Sequence, residues 1–210
     1  MVEWSIAAFG AAGSVRSIVV AVPPGHVHDL AGHDLGVVDG GATRARSVSN
    51  ALEAVGTELV AIHDAARPLV TPGLIEDVIA TLEEDPEAAG AIAAIPVTDT
   101  IKRVTQPEER RLSDLPTYRV VNSTVTVAET VDRGRLWAAQ TPQVFRTEAL
   151  REALVALGPD QIAAATDESM LVEAAGGTVL IHPSSAENVK VTTPLDLRLA
   201  EALLSERSAQ

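Results

Sequence analysis

Aliphatic runs of strand length alternate along this chain with stretches of helical spacing, and that alternation leaves few folds open to it. The runs are Ser17 to Val22, which Pro23-Pro24 stops, then Gly36 to Asp39, Leu59 to Ile62 and Ala91 to Val97. Between them lie helical stripes: Val2, Ile6, Phe9 and Ala12, closed by Gly13, and later Val48, Ala51, Leu52 and Val55. Thr71 followed by Pro72 has the residue order of a capped helix start. Aromatic residues make up only 2% of the chain, so the core has to be built from Val, Leu, Ile and Ala. Strands buried on both faces read as unbroken aliphatic runs, which favours a parallel sheet covered by helices. The order predicts an α/β fold, a three-layer, doubly wound, mostly parallel sheet. With 210 residues and no linker or repeat, one domain over 1–210 is expected.

Two features break the alternation. From about Val104 to Val131 no helical stripe is present, and Val121 to Ala128 alternates with period two in Val and Thr. This predicts an antiparallel strand in a β arm of about residues 103–132. Such an arm has little core of its own and pairs with another chain, or else folds back as an edge hairpin on its own sheet. The second break is at the start, where a helix stands in place of the first strand and loop that normally open a doubly wound sheet.

The formal net charge of −13 provides no broad basic field, which argues against nucleic acids and anionic membranes as partners. It leaves room for an anionic small molecule, which needs only a few local cations. The absence of cysteine excludes disulfides and Cys-based zinc sites. No apolar run approaches a membrane span, and Met1-Val2-Glu3-Trp4 has neither a basic n-region nor an apolar h-region. A cytoplasmic protein is expected.

The chemistry concentrates at strand ends. His63-Asp64-Ala65-Ala66-Arg67-Pro68 follows the run Leu59 to Ile62, and ligands of open α/β sheets bind just beyond the carboxyl ends of strands. Asp64 would stand there, Ala65 and Ala66 leave room for close approach, and Arg67 adds a permanent cation. Such a set suits a metal-bound phosphate ester; equally, Asp64 shapes the turn and Arg67 pairs with it. Asp39-Gly40-Gly41 leads into a helix start carrying Arg44 and Ser47 on one face. This is a place for an anion or a polar ring edge, or a simple turn. Asp99, Thr100 and Lys102 again close a strand with an acid, a hydroxyl and a cation, and Arg133 lies at the end of the arm. Lys190 lies in a short aliphatic run, Glu187 to Pro194, read as a strand leading into the last helix. Its ammonium needs a polar destination, either a phosphate cleft or an exposed edge. Thr166-Asp167-Glu168-Ser169 reads as a helix start in which the acids complement the helix dipole.

Taken in order, these segments resemble the 2-C-methyl-D-erythritol 4-phosphate cytidylyltransferases of the non-mevalonate isoprenoid pathway. The resemblance runs from residue 1 to about 204. It rests on Asp39-Gly40-Gly41, Arg44, Ser47-Val48, His63 to Pro68, Pro96-Val97, Asp99-Thr100 and Lys102. It continues through Val131-Asp132-Arg133, Leu136-Trp137, Thr141-Pro142-Gln143, Thr166-Asp167-Glu168 and Asn188 with Lys190-Val191-Thr192. It implies a Rossmann-like nucleotidyltransferase fold and a reaction in which the phosphate of methylerythritol phosphate attacks the α-phosphorus of CTP and pyrophosphate leaves. Phosphoryl chemistry of this kind is mostly positioning and charge stabilisation. By the same resemblance, Lys190 and Asp64 are catalytic, with Asp64 also the ligand of Mg²⁺. Gly40, Gly41, Arg44, Ser47 and Ala65 line the nucleotide, and Asp99, Thr100, Lys102 and Arg133 bind the sugar-alcohol phosphate. Arg67 and Thr141 support the site. A homodimer formed through the arm would carry Arg133 into the partner's site.

Members of that family open with a strand and a glycine-rich loop, and with an arginine and a lysine that grip the triphosphate. Met1 to Ala7 resembles the helix after that loop. The expectation is therefore a gene whose start lies upstream, or a chain without the cradle and with catalysis reduced by several orders of magnitude. The alternatives are a cytidylyltransferase for a pentitol phosphate and a non-catalytic dimeric scaffold.

Overall fold

The computed structural model describes residues 1–27, 35–105 and 126–208. They form α1 (Val2–Ala11), β1 (Val19–Val22), β2 (Gly36–Asp39), α2 (Arg44–Leu52), β3 (Leu59–Ile62), α3 (Pro72–Glu83), β4 (Gly90–Pro96) and β5 (Lys102–Thr105). These are followed by β6 (Thr126–Thr130), β7 (Trp137–Arg146), α4 (Thr147–Ala156), α5 (Pro159–Ala164), α6 (Glu168–Ala174), β8 (Val179–Pro183) and α7 (Pro194–Ser208). Two compact units result, one of Met1–Ile95 with Ala139–Gln210 and the other of Pro96–Ala138.

The first unit is the expected α/β structure. β1 pairs parallel with β2, and a second sheet has the order β3-β7-β4-β8. β4 and β8 run parallel. β7 runs antiparallel to β3, so the second sheet is mixed. Among the described residues no helix separates β4 from β7, and a strand entered without a crossover helix runs against its neighbour. Among the described residues β1–β2 is not hydrogen-bonded to the four-stranded sheet, so the sheet expected to be continuous is in two parts.

Side-chain alternation along β4 and β7 builds both halves of the core. Ala91 and Ala93 of β4 and Val144 of β7 face Phe9 of α1 and Ile75, Val78 and Leu82 of α3. Ile92 and Phe145 face the other way, onto Leu52 of α2, Leu150 of α4 and Leu171 of α6. Phe145 is fully buried. It lies against Gly90, where a Cβ would come within 2.4 Å of its Cδ1. α3 begins as the Thr71-Pro72 order predicts, with Thr71 Oγ1 accepting the Leu74 amide at 3.2 Å.

The second unit contains the antiparallel pair β5–β6. All five residues of β6 are exposed. The strand expected over Val121–Ala128 is present from Thr126 onward; Val121 to Val125 lie outside the described residues. The unit is wider than the expected arm.

Candidate active site

Asp64 follows β3 and is gripped from two sides. Its Oδ1 accepts from Arg44 Nε at 3.0 Å, and its Oδ2 meets Lys190 Nζ at 2.8 Å. Burial works to raise the Asp64 pKa, but the Lys190 and Arg44 cations outweigh it and hold the carboxyl below its ordinary value. Arg44 reaches a second carboxylate, Glu168 Oε2, at 2.5 Å. Four charges of alternating sign therefore stand in one row: Glu168, Arg44, Asp64 and Lys190. Arg44, Asp64, Ala65 and Lys190 line a cavity of about 700 Å³, whose wall continues along the apolar edges of β1 and β3.

The backbone around this row is fixed by buried polar contacts. The segment carrying Lys190 is irregular chain between β8 and α7, which corrects the strand expected there. It is fastened from outside, by the Val191 amide donating to Ala66 O at 2.7 Å. Arg67, 9% exposed, does not pair with Asp64; its Nη1 donates to Asn188 O at 2.7 Å. Asn188 Nδ2 in turn donates to Gln140 Oε1 and Thr141 O, both at 2.9 Å. Arg67 thus ties the Asp64 loop to the Lys190 segment.

Gly40 and Gly41 form the tight approach to α2. At Gly40 a Cβ would stand 3.0 Å from both Val22 O and Ser47 Oγ. Ser47 Oγ accepts the Gly41 amide at 3.0 Å and donates to Thr43 O at 3.1 Å, which fastens the turn and leaves one lone pair of the hydroxyl for a ligand. Thr43 caps the helix that presents Arg44.

His63 is a structural residue. Thr141 Oγ1 accepts the Asp64 amide at 3.1 Å and lies 2.9 Å from His63 Nδ1. With that amide donating to the hydroxyl, the hydroxyl proton goes to Nδ1. Nε2 then carries the ring proton and donates to Arg67 O at 3.1 Å. Burial lowers the His63 pKa from 6.5 to about 4. Between those values the unfolded chain binds a proton that the folded one excludes. Stability therefore falls as pH drops through that window, by up to about 3 kcal/mol, and is retained above it. His63→Gln keeps a donor for Arg67 O and removes that part of the pH slope. Identical urea midpoints against pH for the two proteins, from pH 7 to 4, would refute the assignment.

The other expected residues belong to the second unit. Asp99 and Thr100 are exposed in the segment before β5. Lys102 Nζ donates to Thr130 Oγ1 at 2.6 Å, and Arg133 Nη1 donates to Thr98 O. Among the described residues no cluster of three or more His, Cys, Asp or Glu is placed to hold a metal, and no helix is long and apolar enough to cross a membrane. Sequence reading missed the reach of Glu168, because a first-turn acid looks the same whether it serves the helix dipole or a distant arginine.

The family model for IspD, 2-C-methyl-D-erythritol 4-phosphate cytidylyltransferase, matches residues 1–206. The chain belongs to the IspD family. A 2-C-methyl-D-erythritol 4-phosphate cytidylyltransferase of Paraburkholderia phytofirmans is 37% identical over the whole chain and 85% of the relative. A bifunctional IspD/IspF enzyme of Anaeromyxobacter dehalogenans is 42% identical over 92% of the chain, which spans only 47% of that longer relative. The crystal structure of the cytidylyltransferase from Thermus thermophilus matches at TM-score 0.74 and 34% identity, covering 97% of the chain and 88% of that protein. In this IspD chain the charged row is built from residues far apart in sequence, brought together by β3, α2, α6 and the segment before α7.

Proposed function

We propose that this chain carries the activity named in its family, the transfer of a cytidylyl group from CTP to 2-C-methyl-D-erythritol 4-phosphate with release of pyrophosphate. The observation that supports it is Asp64 held between Arg44 and Lys190 in the wall of a cavity large enough for a nucleotide. Nucleotidyl transfer asks a protein mainly to place anionic reactants and offset their charge.

In this reading Gly40, Gly41, Arg44, Ser47 and Ala65 take the cytosine and ribose, and Lys190 sits at the phosphates, where its exposed ammonium can leave Asp64 for a phosphate oxygen. The sugar phosphate oxygen attacks the α-phosphorus as the bond to pyrophosphate breaks. Asp99, Thr100, Lys102 and Arg133 receive the sugar phosphate, with Arg133 supplied by a second copy through the arm. One carboxylate fits a Mg²⁺ carried largely by the nucleotide's own phosphates; Asp64 would hold it, and when bound it would neutralise triphosphate charge. The cytoplasm is the compartment this reading implies.

The test is pyrophosphate release from CTP in the presence of methylerythritol phosphate, with ribitol phosphate and no acceptor as parallel arms. Release that depends on methylerythritol phosphate supports the reading. Release with ribitol phosphate alone moves the protein to the pentitol substrate, and no release in any arm overturns catalysis.

A further inference from the structure

Glu168 has no role in the reading above, yet it is the most deeply buried charge near the site, at 1% exposure. A first-turn acid needs no burial to complement a helix dipole, and burying a carboxylate is costly unless it is paired. Its Oε2 meets Arg44 Nη1 at 2.5 Å, while Oε1 is buried without a hydrogen-bond partner. Among the described residues Arg44 is thus its one cationic partner, across a separation of 124 residues.

The helix start that carries Glu168 is itself locked to β7. Asp167 caps α6 through the Met170 amide and takes the Gln143 Nε2 donor at 2.9 Å, and Gln143 Oε1 accepts the Ser169 amide at 3.3 Å. Gln143 is 1% exposed. Glu168 is therefore a rigidly mounted counter-charge, whereas Arg44 is about one-third exposed and stands on the first residue of a helix.

We infer that Glu168 is a positioning residue for nucleotide binding: by holding Nη1 of Arg44 it fixes the guanidinium plane, so that Nε stays on Asp64 and Nη2 is presented to CTP. Arginine loses little further freedom on binding a ligand when its planar fork is already oriented. This inference rests on the nucleotide reading and adds a residue to it. It places the effect in CTP affinity, because the interaction is made before the reaction begins.

The experiment compares wild type with E168A, E168Q, R44A and R44A/E168A by CTP binding calorimetry, steady-state KM and kcat, and the NMR signal of Arg44 Nε–H. The expected result is a Kd and KM for CTP raised at least about tenfold in E168A, as for loss of a charged hydrogen bond, with kcat changed less than KM. E168Q, which keeps an acceptor near Arg44, falls between. The Arg44 Nε–H signal in E168A moves to the position of a solvent-exposed arginine. Adding E168A to R44A produces no further loss, since Glu168 acts through Arg44. An unchanged Arg44 signal, a normal CTP affinity, or losses in R44A and E168A that multiply would each overturn the inference. Wild type that binds CTP and E168A that binds it equally well removes Glu168 alone; wild type that fails to bind CTP removes the nucleotide reading and this inference with it.

Discussion

Replacing Lys190 by alanine lowers kcat/KM for CTP by about 10²–10³, the scale seen when one charge-stabilising donor is removed from a preorganised site. On the proposed function the loss is one of chemistry, and the geometry around Lys190 leaves folding nearly untouched. The Lys190 side chain is 44% exposed, and Asp64 keeps Arg44 when the lysine is gone. An ion pair of that exposure contributes at most about 1 kcal/mol, so the melting temperature stays close to wild type. K190R retains the charge but replaces a compact ammonium with a longer, planar group, and recovers only part of the rate. Steady-state kinetics beside a melting curve decide the matter. A K190A protein with normal kcat/KM would show that Lys190 merely neutralises Asp64.

Phe145→Ala produces the largest loss of stability, about 3–5 kcal/mol, the range for emptying a fully buried aromatic site. Phe145 is 0% exposed and is shared by strand and helix partners, Ile92, Leu150 and Leu171 among them. The site cannot collapse easily, because its floor is Gly90, which has no side chain to move into the void. For a chain of this size the melting temperature falls by about 10 °C or more. Gly90→Val damages the same contact from the opposite side by overpacking, since even a Cβ would stand 2.4 Å from the ring. Urea denaturation followed by far-ultraviolet circular dichroism measures both; a cost below about 1 kcal/mol for F145A would show that β7 is not central to the core.

All but one of the elements that sequence reading placed in the first unit are present, because strands such as Leu59–Ile62 and helices such as Pro72–Glu83 announce themselves in local periodicity and capping. The exception is the Lys190 segment, which reads as a strand because Val189 to Thr192 is aliphatic and β-branched. What holds it in place is not a sheet ladder but the bonds from Val191 to Ala66 and from Arg67 to Asn188. The sequence puts Arg67 beside Asp64, as a cation at the strand end or as its partner in the turn. The turn points the guanidinium instead at the Asn188 carbonyl, a partner 121 residues distant.

The amino-acid sequence by itself determined the α/β class, the aliphatic core, the glycine turn before Arg44, and Asp64 at a strand end. Each depends on spacing over a few residues, on side-chain volume, or on the φ, ψ that a short stretch can adopt. Tertiary structure alone decided that β7 runs against β3 and that Arg44 spans Asp64 and Glu168. It also decided that His63 is held neutral and that Lys190 reaches Asp64. These depend on which groups share a volume once water is excluded, and burial together with Coulomb attraction between groups as far apart in the chain as Asp64 and Lys190 is not written in any local pattern.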